Sequence, residues 1–205
     1  TGTLPAGVEN KDYLRCKACH GWDVKGANGG YVRRSGFPEK TSRPKPTDGT
    51  DLSASLGSIT LEMASHQDGR EWAEENNTAP NFTLSEGLTD QQLADVVAFL
   101  NDGPKIGDIA EIDNSKTPVQ YTFVNASIEG GKELYVVNCQ TCHGPDGSKL
   151  TDINLIEYLK SDGKYSEAFH KMIYGAGAAM TREQSGSLSS EQARDILAWA
   201  QSAIE

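Results

Sequence analysis

The feature that most constrains this chain is a pair of five-residue segments with the pattern C-x-x-C-H, at residues 16–20 and 139–143. In both segments two thiols lie three positions apart, an imidazole follows at once, and glycine comes next. This is the pattern through which c-type haem is attached to a protein. The thiols can bond the two vinyl groups of one porphyrin, and the histidine can bind its iron. The pattern therefore predicts two covalently attached c-type haems.

The predicted ligands can be named residue by residue. The thioether bonds are assigned to Cys16, Cys19, Cys139 and Cys142, and the first axial bonds to iron are assigned to His20 and His143. A four-cysteine zinc site is disfavoured because the two pairs are more than a hundred residues apart, far beyond the spacing of a zinc ribbon. A disulfide within each pair is disfavoured because its geometry is strained. Both alternatives would leave the two histidines unexplained.

The composition agrees with a chain that folds around a large apolar group. Only 7% of the 205 residues are aromatic, which is lean for a single large core. Two domains of about 100 residues each would be ordinary in size. No apolar run approaches the ~20 residues of a membrane span, so we expect none. Because haem attachment to this motif implies export, we expect a bacterial periplasmic or otherwise exported protein whose signal peptide has been removed.

The two halves of the chain repeat one another. Thr89 and Ser189 each open a capping box that is answered by glutamine three positions later. Apolar residues then follow at helical spacing in both halves, and an aromatic residue comes late in each helix. Shorter helical stretches are predicted at residues 131–138, 59–66 and 169–174. The repeat predicts a first domain at residues 1–103, a linker at 104–124 and a second domain at 125–205.

Two further patterns give the second half a resemblance to a known family. Residues 131–147 read G-x-x-L-Y-x-x-x-C-x-x-C-H-G-x-D-G, and residues 172–180 read M-I-Y-G-x-G-x-x-M. This half resembles a class I cytochrome c domain. The whole chain resembles the tandem dihaem cytochromes c of the c-four type, which are periplasmic electron carriers. The resemblance implies an all-α fold of two class I cytochrome c domains in tandem, each wrapped around one covalent haem.

The second haem has a predicted sixth ligand. The resemblance places the axial methionine at Met180, in a glycine-rich loop before the last helix. Met172 lies within the preceding helical stretch, where core packing is the expected role. Met172 and His170 remain alternative ligands.

The sixth ligand of the first haem is left open by the sequence. Ala79 stands where the family pattern would have methionine, and alanine cannot bind iron. His66 is the leading candidate, which would give bis-histidine iron, and Met63 is the runner-up. An open or water-bound iron is the third possibility.

The first half also contains a longer and more basic loop. From the haem histidine to the helix cap is 69 residues in the first half and 46 in the second, and much of the difference lies in residues 22–57. The basic residues between positions 21 and 50 are Lys25, Arg33, Arg34, Lys40, Arg43 and Lys45, against Asp23, Glu39 and Asp48. These cations could screen the haem propionates or an acidic segment, or bind an acidic partner. The net charge of −10 disfavours nucleic-acid binding.

The pattern as a whole predicts a soluble electron-transfer protein that passes single electrons between redox partners. Such partners would be other cytochromes, membrane complexes, or a periplasmic or terminal oxidoreductase. The alternative is a small dihaem enzyme or enzyme subunit, an oxidoreductase whose open first iron performs peroxidase-like chemistry or acts on sulfur or nitrogen oxides. We expect a carrier rather than an enzyme.

Overall fold

The chain divides into two units in a computed structural model. The first unit comprises residues 1–27 and 35–104, and the second comprises residues 28–34 and 105–205. The structure describes residues 16–30, 50–64, 89–150, 154–161, 163–177, 180–181 and 188–204. Among the helices in these ranges, none has both the length and the apolar character needed to cross a membrane.

The described elements are mainly helices. In chain order they are α1 (Cys16–His20), α2 (Leu61–Ala64), α3 (Asp90–Asp102), β1 (Ala110–Asp113), β2 (Gln120–Phe123), α4 (Ile128–Asn138), α5 (Gln140–His143), α6 (Leu155–Leu159), α7 (Lys164–Tyr174) and α8 (Ser190–Ser202). Two single turns of 3-10 helix span Gly26–Asn28 and Ile106–Asp108.

Both predicted capping boxes are confirmed, at the starts of α3 and α8. The hydroxyl of Thr89 accepts from the backbone N–H of Gln92 at 3.2 Å, and the Gln92 side chain accepts from the N–H of Thr89 at 2.8 Å. Ser189 and Gln192 repeat both bonds, at 3.2 and 2.9 Å. Such caps satisfy backbone donors that a helix leaves unpaired at its start. The two helices therefore begin where the sequence predicts.

The second unit is built around the crossing of α4 and α8. Gly131 makes this crossing possible, because a Cβ atom on it would lie only 1.9 Å from the backbone oxygen of Asp195. One turn further along α4, the ring of Tyr135 lies 4.5 Å from that of Trp199, centroid to centroid. This aromatic pair packs against the main apolar core of the unit.

The expectation of an all-α fold needs one correction, at residues 104–124. This segment, predicted to be a linker, contains an antiparallel hairpin in which Ala110 pairs with Phe123. Tyr121 is buried, its ring lies 5.1 Å from that of Tyr165 on α7, and its hydroxyl lies 3.1 Å from that of Ser166. The hairpin is thus part of the second unit's core, because its buried residues find their partners on α7.

A smaller core holds the described part of the first unit together. Its buried members are Val24, Ile59 and Leu100, from the haem-motif loop, the segment before α2, and α3. The side-chain amide of Asn101 adds a polar clamp, since it accepts from the N–H of Ile59 and donates to its carbonyl, both at 2.9 Å. The start of α2 is therefore fixed to the end of α3.

Candidate haem-binding sites

The two C-x-x-C-H segments form turns of the same shape. Both end in a glycine with a left-handed backbone, Gly21 with φ of 73° and Gly144 with φ of 82°. The N–H of Gly21 donates to the carbonyl of Lys17 at 3.0 Å, and the N–H of Gly144 donates to the carbonyl of Gln140 at 2.8 Å. Glycine adopts this backbone without steric cost, so it closes both turns directly after the histidine.

The likeness extends three residues beyond each glycine. Val24 has φ of 56° and Gly147 has φ of 75°. The carbonyl of Val24 accepts from the N–H of Leu52 at 2.9 Å, and that of Gly147 accepts from the N–H of Leu155 at 3.0 Å. These bonds join residues 28 positions apart in the first unit and 8 apart in the second. Most of the extra length of the first half therefore lies in residues 25–51, which include the basic segment.

The imidazole of His20 is oriented by a backbone carbonyl. His20 is buried, and its Nδ1 lies 2.9 Å from the carbonyl oxygen of Thr50. Since a carbonyl can only accept, Nδ1 carries the proton and the lone pair lies on Nε2. A histidine that binds a metal commonly has its second nitrogen held in this way. His20 is therefore in the tautomer that an axial iron ligand requires.

The imidazole of His143 has a different environment. Its Nδ1 is buried and has no hydrogen-bond partner within the ranges that the structure describes. The position that matches Thr50, two residues before the bonded leucine, is Ile153, which lies outside those ranges. Burial lowers the pKa of His143, which favours the neutral imidazole. Neutral imidazole is the form that binds a metal.

The described thiols are available for thioether bonds. Cys16 and Cys142 are exposed, Cys139 is partly buried, and none of the three is in a disulfide. Burial and the neighbouring Cys142 raise the pKa of the Cys139 thiol to about 11. The side chain of Cys19 lies outside the described part of the structure. The thiols of Cys139 and Cys142 beside the His143 imidazole, whose burial favours the neutral form, fit covalent haem. No group of three potential metal-ligating side chains occurs among the described residues.

The three candidate sixth ligands of the second haem lie in distinct environments. Met172 is buried in the main core on α7. Met180 is partly buried against the same core, and its loop is closed by bonds from the Ala176 N–H to the Met180 carbonyl at 2.6 Å and from the Met180 N–H to the Gly177 carbonyl at 3.3 Å. His170 is partly buried, with its ring 4.8 Å from that of Tyr174. The assignment of Met180 as the ligand stays a prediction.

The candidates for the first haem are only partly visible. Met63 lies on α2 with 51% of its surface exposed, and its N–H donates to the hydroxyl of Thr60 at 3.2 Å. His66 and Ala79 lie outside the described residues. His66 as the sixth ligand therefore stays a prediction, with Met63 as the runner-up and an open iron as the third possibility.

Three contacts at these sites were not assigned from the sequence. The Tyr135 hydroxyl donates to the carbonyl of Gly144 at 2.7 Å, and the Lys149 ammonium donates to the carbonyl of Thr141 at 2.6 Å. The third is the carbonyl of Thr50 beside His20. All three acceptors are backbone carbonyl oxygens, and a pattern of side chains in the sequence does not predict which backbone oxygen will accept a bond. Only the tyrosine in G-x-x-L-Y gave a signal, through the resemblance.

Comparisons with known families agree with this geometry. Residues 11–103 match the family model of cytochrome c. Residues 126–199 match the family model described as cytochrome c oxidase, cbb3-type, subunit III. Each match contains one C-x-x-C-H turn, and the chain thus has two cytochrome c domains, which imply covalent c-type haem and electron transfer. No curated protein and no solved structure matches the chain.

Proposed function

We propose that this chain, a cytochrome c of two domains, carries one covalent haem in each domain and passes single electrons between redox proteins, as the c-four type does. The observation that carries the proposal is the duplicated turn. Each unit has a buried or partly buried histidine followed by a left-handed glycine, and the same backbone bond to a later leucine. A chain with one haem would have no need to keep both turns in the same shape.

The residues of each turn have separate tasks. The four cysteines would hold the porphyrins, and His20 and His143 would each supply a nitrogen ligand to one iron. Bound haem supplies an iron that changes charge by one electron. The carbonyl of Thr50 keeps the His20 ring in one orientation and one tautomer. Tyr135 ties the turn of the second unit to α4 through the carbonyl of Gly144. These contacts would hold the iron ligands in place.

The sixth ligands are proposed to differ between the two haems. Met180 is assigned to the second iron, and His66 to the first, with Met63 as the runner-up. Methionine ligation gives a higher potential than a second histidine, since methionine raises the potential of haem iron. Electrons would then pass from the first haem to the second.

The proposed location follows from the chemistry of haem attachment, and the proposed partners follow from electron transfer. Haem is joined to C-x-x-C-H outside the cytoplasm, so we place the protein in the bacterial periplasm or in another exported position. Other cytochromes, membrane complexes, and a periplasmic or terminal oxidoreductase are the proposed partners. The likeness of the second unit to a subunit of a cbb3-type oxidase favours a terminal oxidase among them.

Intact mass of the denatured holoprotein tests the central claim. The mass should exceed that of the polypeptide by two haems, and a gain of one haem would refute the proposal. A redox titration followed by absorbance should then show two one-electron waves. The enzymatic alternative rests on Ala79 at the expected ligand position, and cyanide tests it. Rapid binding of cyanide to high-spin ferric iron in the first unit would favour the enzyme.

A further inference from the structure

Lys149 contributes two donors to the end of the second haem-attachment helix. The helix α5 has only four residues, so its last carbonyls have no partners within the helix. The ammonium of Lys149 donates to the carbonyl of Thr141 at 2.6 Å, and the backbone N–H of Lys149 donates to the carbonyl of His143 at 3.0 Å. One residue thus binds the carbonyl between the two cysteines and the carbonyl of the iron ligand itself.

The close approach of Lys149 depends on the glycine that follows the histidine. A Cβ atom at Gly144 would lie 2.9 Å from the Cβ of Lys149 and 3.4 Å from its backbone nitrogen. The lysine therefore lies over the turn, where its ammonium bonds the backbone although the side chain is exposed. The second unit keeps a positive charge at a fixed place beside the haem-attachment turn.

The first unit differs at the matching position. Gly26 lies six residues after His20, as Lys149 lies six residues after His143. Glycine has no side chain, so Gly26 cannot place a charge over the turn of its own unit. The two turns therefore share their backbone shape but not this cation.

We propose that Lys149 is a positioning residue for the second haem, where its ammonium fixes the attachment turn and its charge raises the reduction potential. The proposal rests on the proposed function, since it requires haem at Cys139 and Cys142. A fixed positive charge disfavours the ferric state, which carries one more positive charge than the ferrous state. Because Lys149 is exposed, solvent reduces the effect, and we expect a roughly threefold change in the ratio of oxidised to reduced haem at a given applied potential.

The test compares Lys149→Gln, Lys149→Arg and Lys116→Gln in the holoprotein. Glutamine keeps an N–H donor for the Thr141 carbonyl but removes the charge, and arginine keeps the charge. Lys116 is exposed in the loop that connects β1 to β2. Lys116→Gln changes the net charge by the same amount as Lys149→Gln. A Cys139→Ser, Cys142→Ser variant, which should carry only the first haem, identifies the wave of the second.

Lys149→Gln should lower the reduction potential of the second haem by about 28 mV. This is the threefold change in the ratio of oxidised to reduced haem, converted at 59 mV per tenfold change for one electron. Lys149→Arg should keep most of the original potential, and Lys116→Gln should change it less than Lys149→Gln does. An equal shift in the two glutamine variants, or an equal fall with arginine, would overturn the proposal. A wild-type protein without a second haem wave would instead refute the proposed function, so the two failures are distinguishable.

Discussion

Asn101 holds Ile59 through both of its backbone groups, as a neighbouring β-strand would. Asn101→Ala removes both bonds beside a residue that is only 6% exposed, and we expect it to lower the free energy of unfolding of the first unit by about 2 kcal/mol. Denaturant titration, with hydrogen exchange to report each unit, measures the loss.

The matched control for this change is Gln91→Ala on the same helix. Gln91→Ala also removes a side-chain amide, but within the described part of the chain that amide donates only to Asp95, on the exposed face of the helix. Such a surface change should stay within about 0.5 kcal/mol. Equal losses in the two variants would show that the clamp on Ile59 does not stabilise the unit.

The contact of Gly131 with Asp195 leaves no room for a side chain. Gly131→Ala should push α4 away from α8 and cost about 3 kcal/mol or more in the second unit, because the atom that it meets is backbone. Gly130→Ala is the control, since its Cβ atom would meet only the Ser127 side chain, at 2.9 Å. Thermal unfolding of the two holoproteins should separate them clearly, and a similar melting temperature would contradict the proposed packing limit.

The duplicated capping boxes allow the same substitution to be made in each unit. Thr89→Ala and Ser189→Ala should each cost about 0.5–2 kcal/mol, because each leaves donors at the start of a helix unpaired. The loss should appear in the first unit for Thr89 and in the second for Ser189. Asparagine at either position should restore most of the stability, and a failure of that rescue would indicate a role other than capping.

The raised pKa of Tyr135 predicts a loss of stability at alkaline pH. Burial is the main cause that raises the pKa of its phenol to about 12. Since the folded-state pKa lies above the ordinary value near 10, the contribution of the phenol is fully present below pH 10 and is lost as the pH rises towards 12. The stability advantage of the wild type over Tyr135→Phe should therefore shrink across that range. An advantage that stays constant in urea titrations from pH 8 to pH 11.5 would contradict the shift.

Met180 and Met172 should respond in opposite ways to truncation. Met180→Ala should abolish the long-wavelength absorption band of methionine-bound ferric haem and lower the potential of the second haem. Met172→Ala should keep the band and cost about 2–5 kcal/mol of stability, because Met172 is a core side chain. The reverse result would identify Met172 as the ligand.

His66 determines the expected state of the first haem. If it binds the iron, paramagnetic resonance of the ferric protein should show low-spin iron that becomes high-spin in His66→Ala. Met63→Ala, at an exposed position on α2, is the control and should leave the spectrum unchanged. High-spin iron in the wild type would remove the bis-histidine assignment.

Local signals in the sequence predicted the parts of the fold that are formed by neighbouring residues. The caps at Thr89 and Ser189 are examples, since hydroxyl and glutamine lie three positions apart. The hairpin was missed because its strands have four residues each and are stabilised by contacts such as Tyr121 with Tyr165, far along the chain. The bond from His20 to Thr50 joins residues 30 positions apart through a backbone atom, so no side-chain pattern could predict it.

The paired bonds from Leu52 to Val24 and from Leu155 to Gly147 give both domains the same two fixed ends around segments of very different length. Closing the longer segment costs only about 1 kcal/mol more in chain entropy, because the cost grows with the logarithm of length. The segment between these ends can therefore be long in one domain and short in the other without a large energetic cost. Its length and charge can differ between the two domains while the backbone bond that anchors it stays the same.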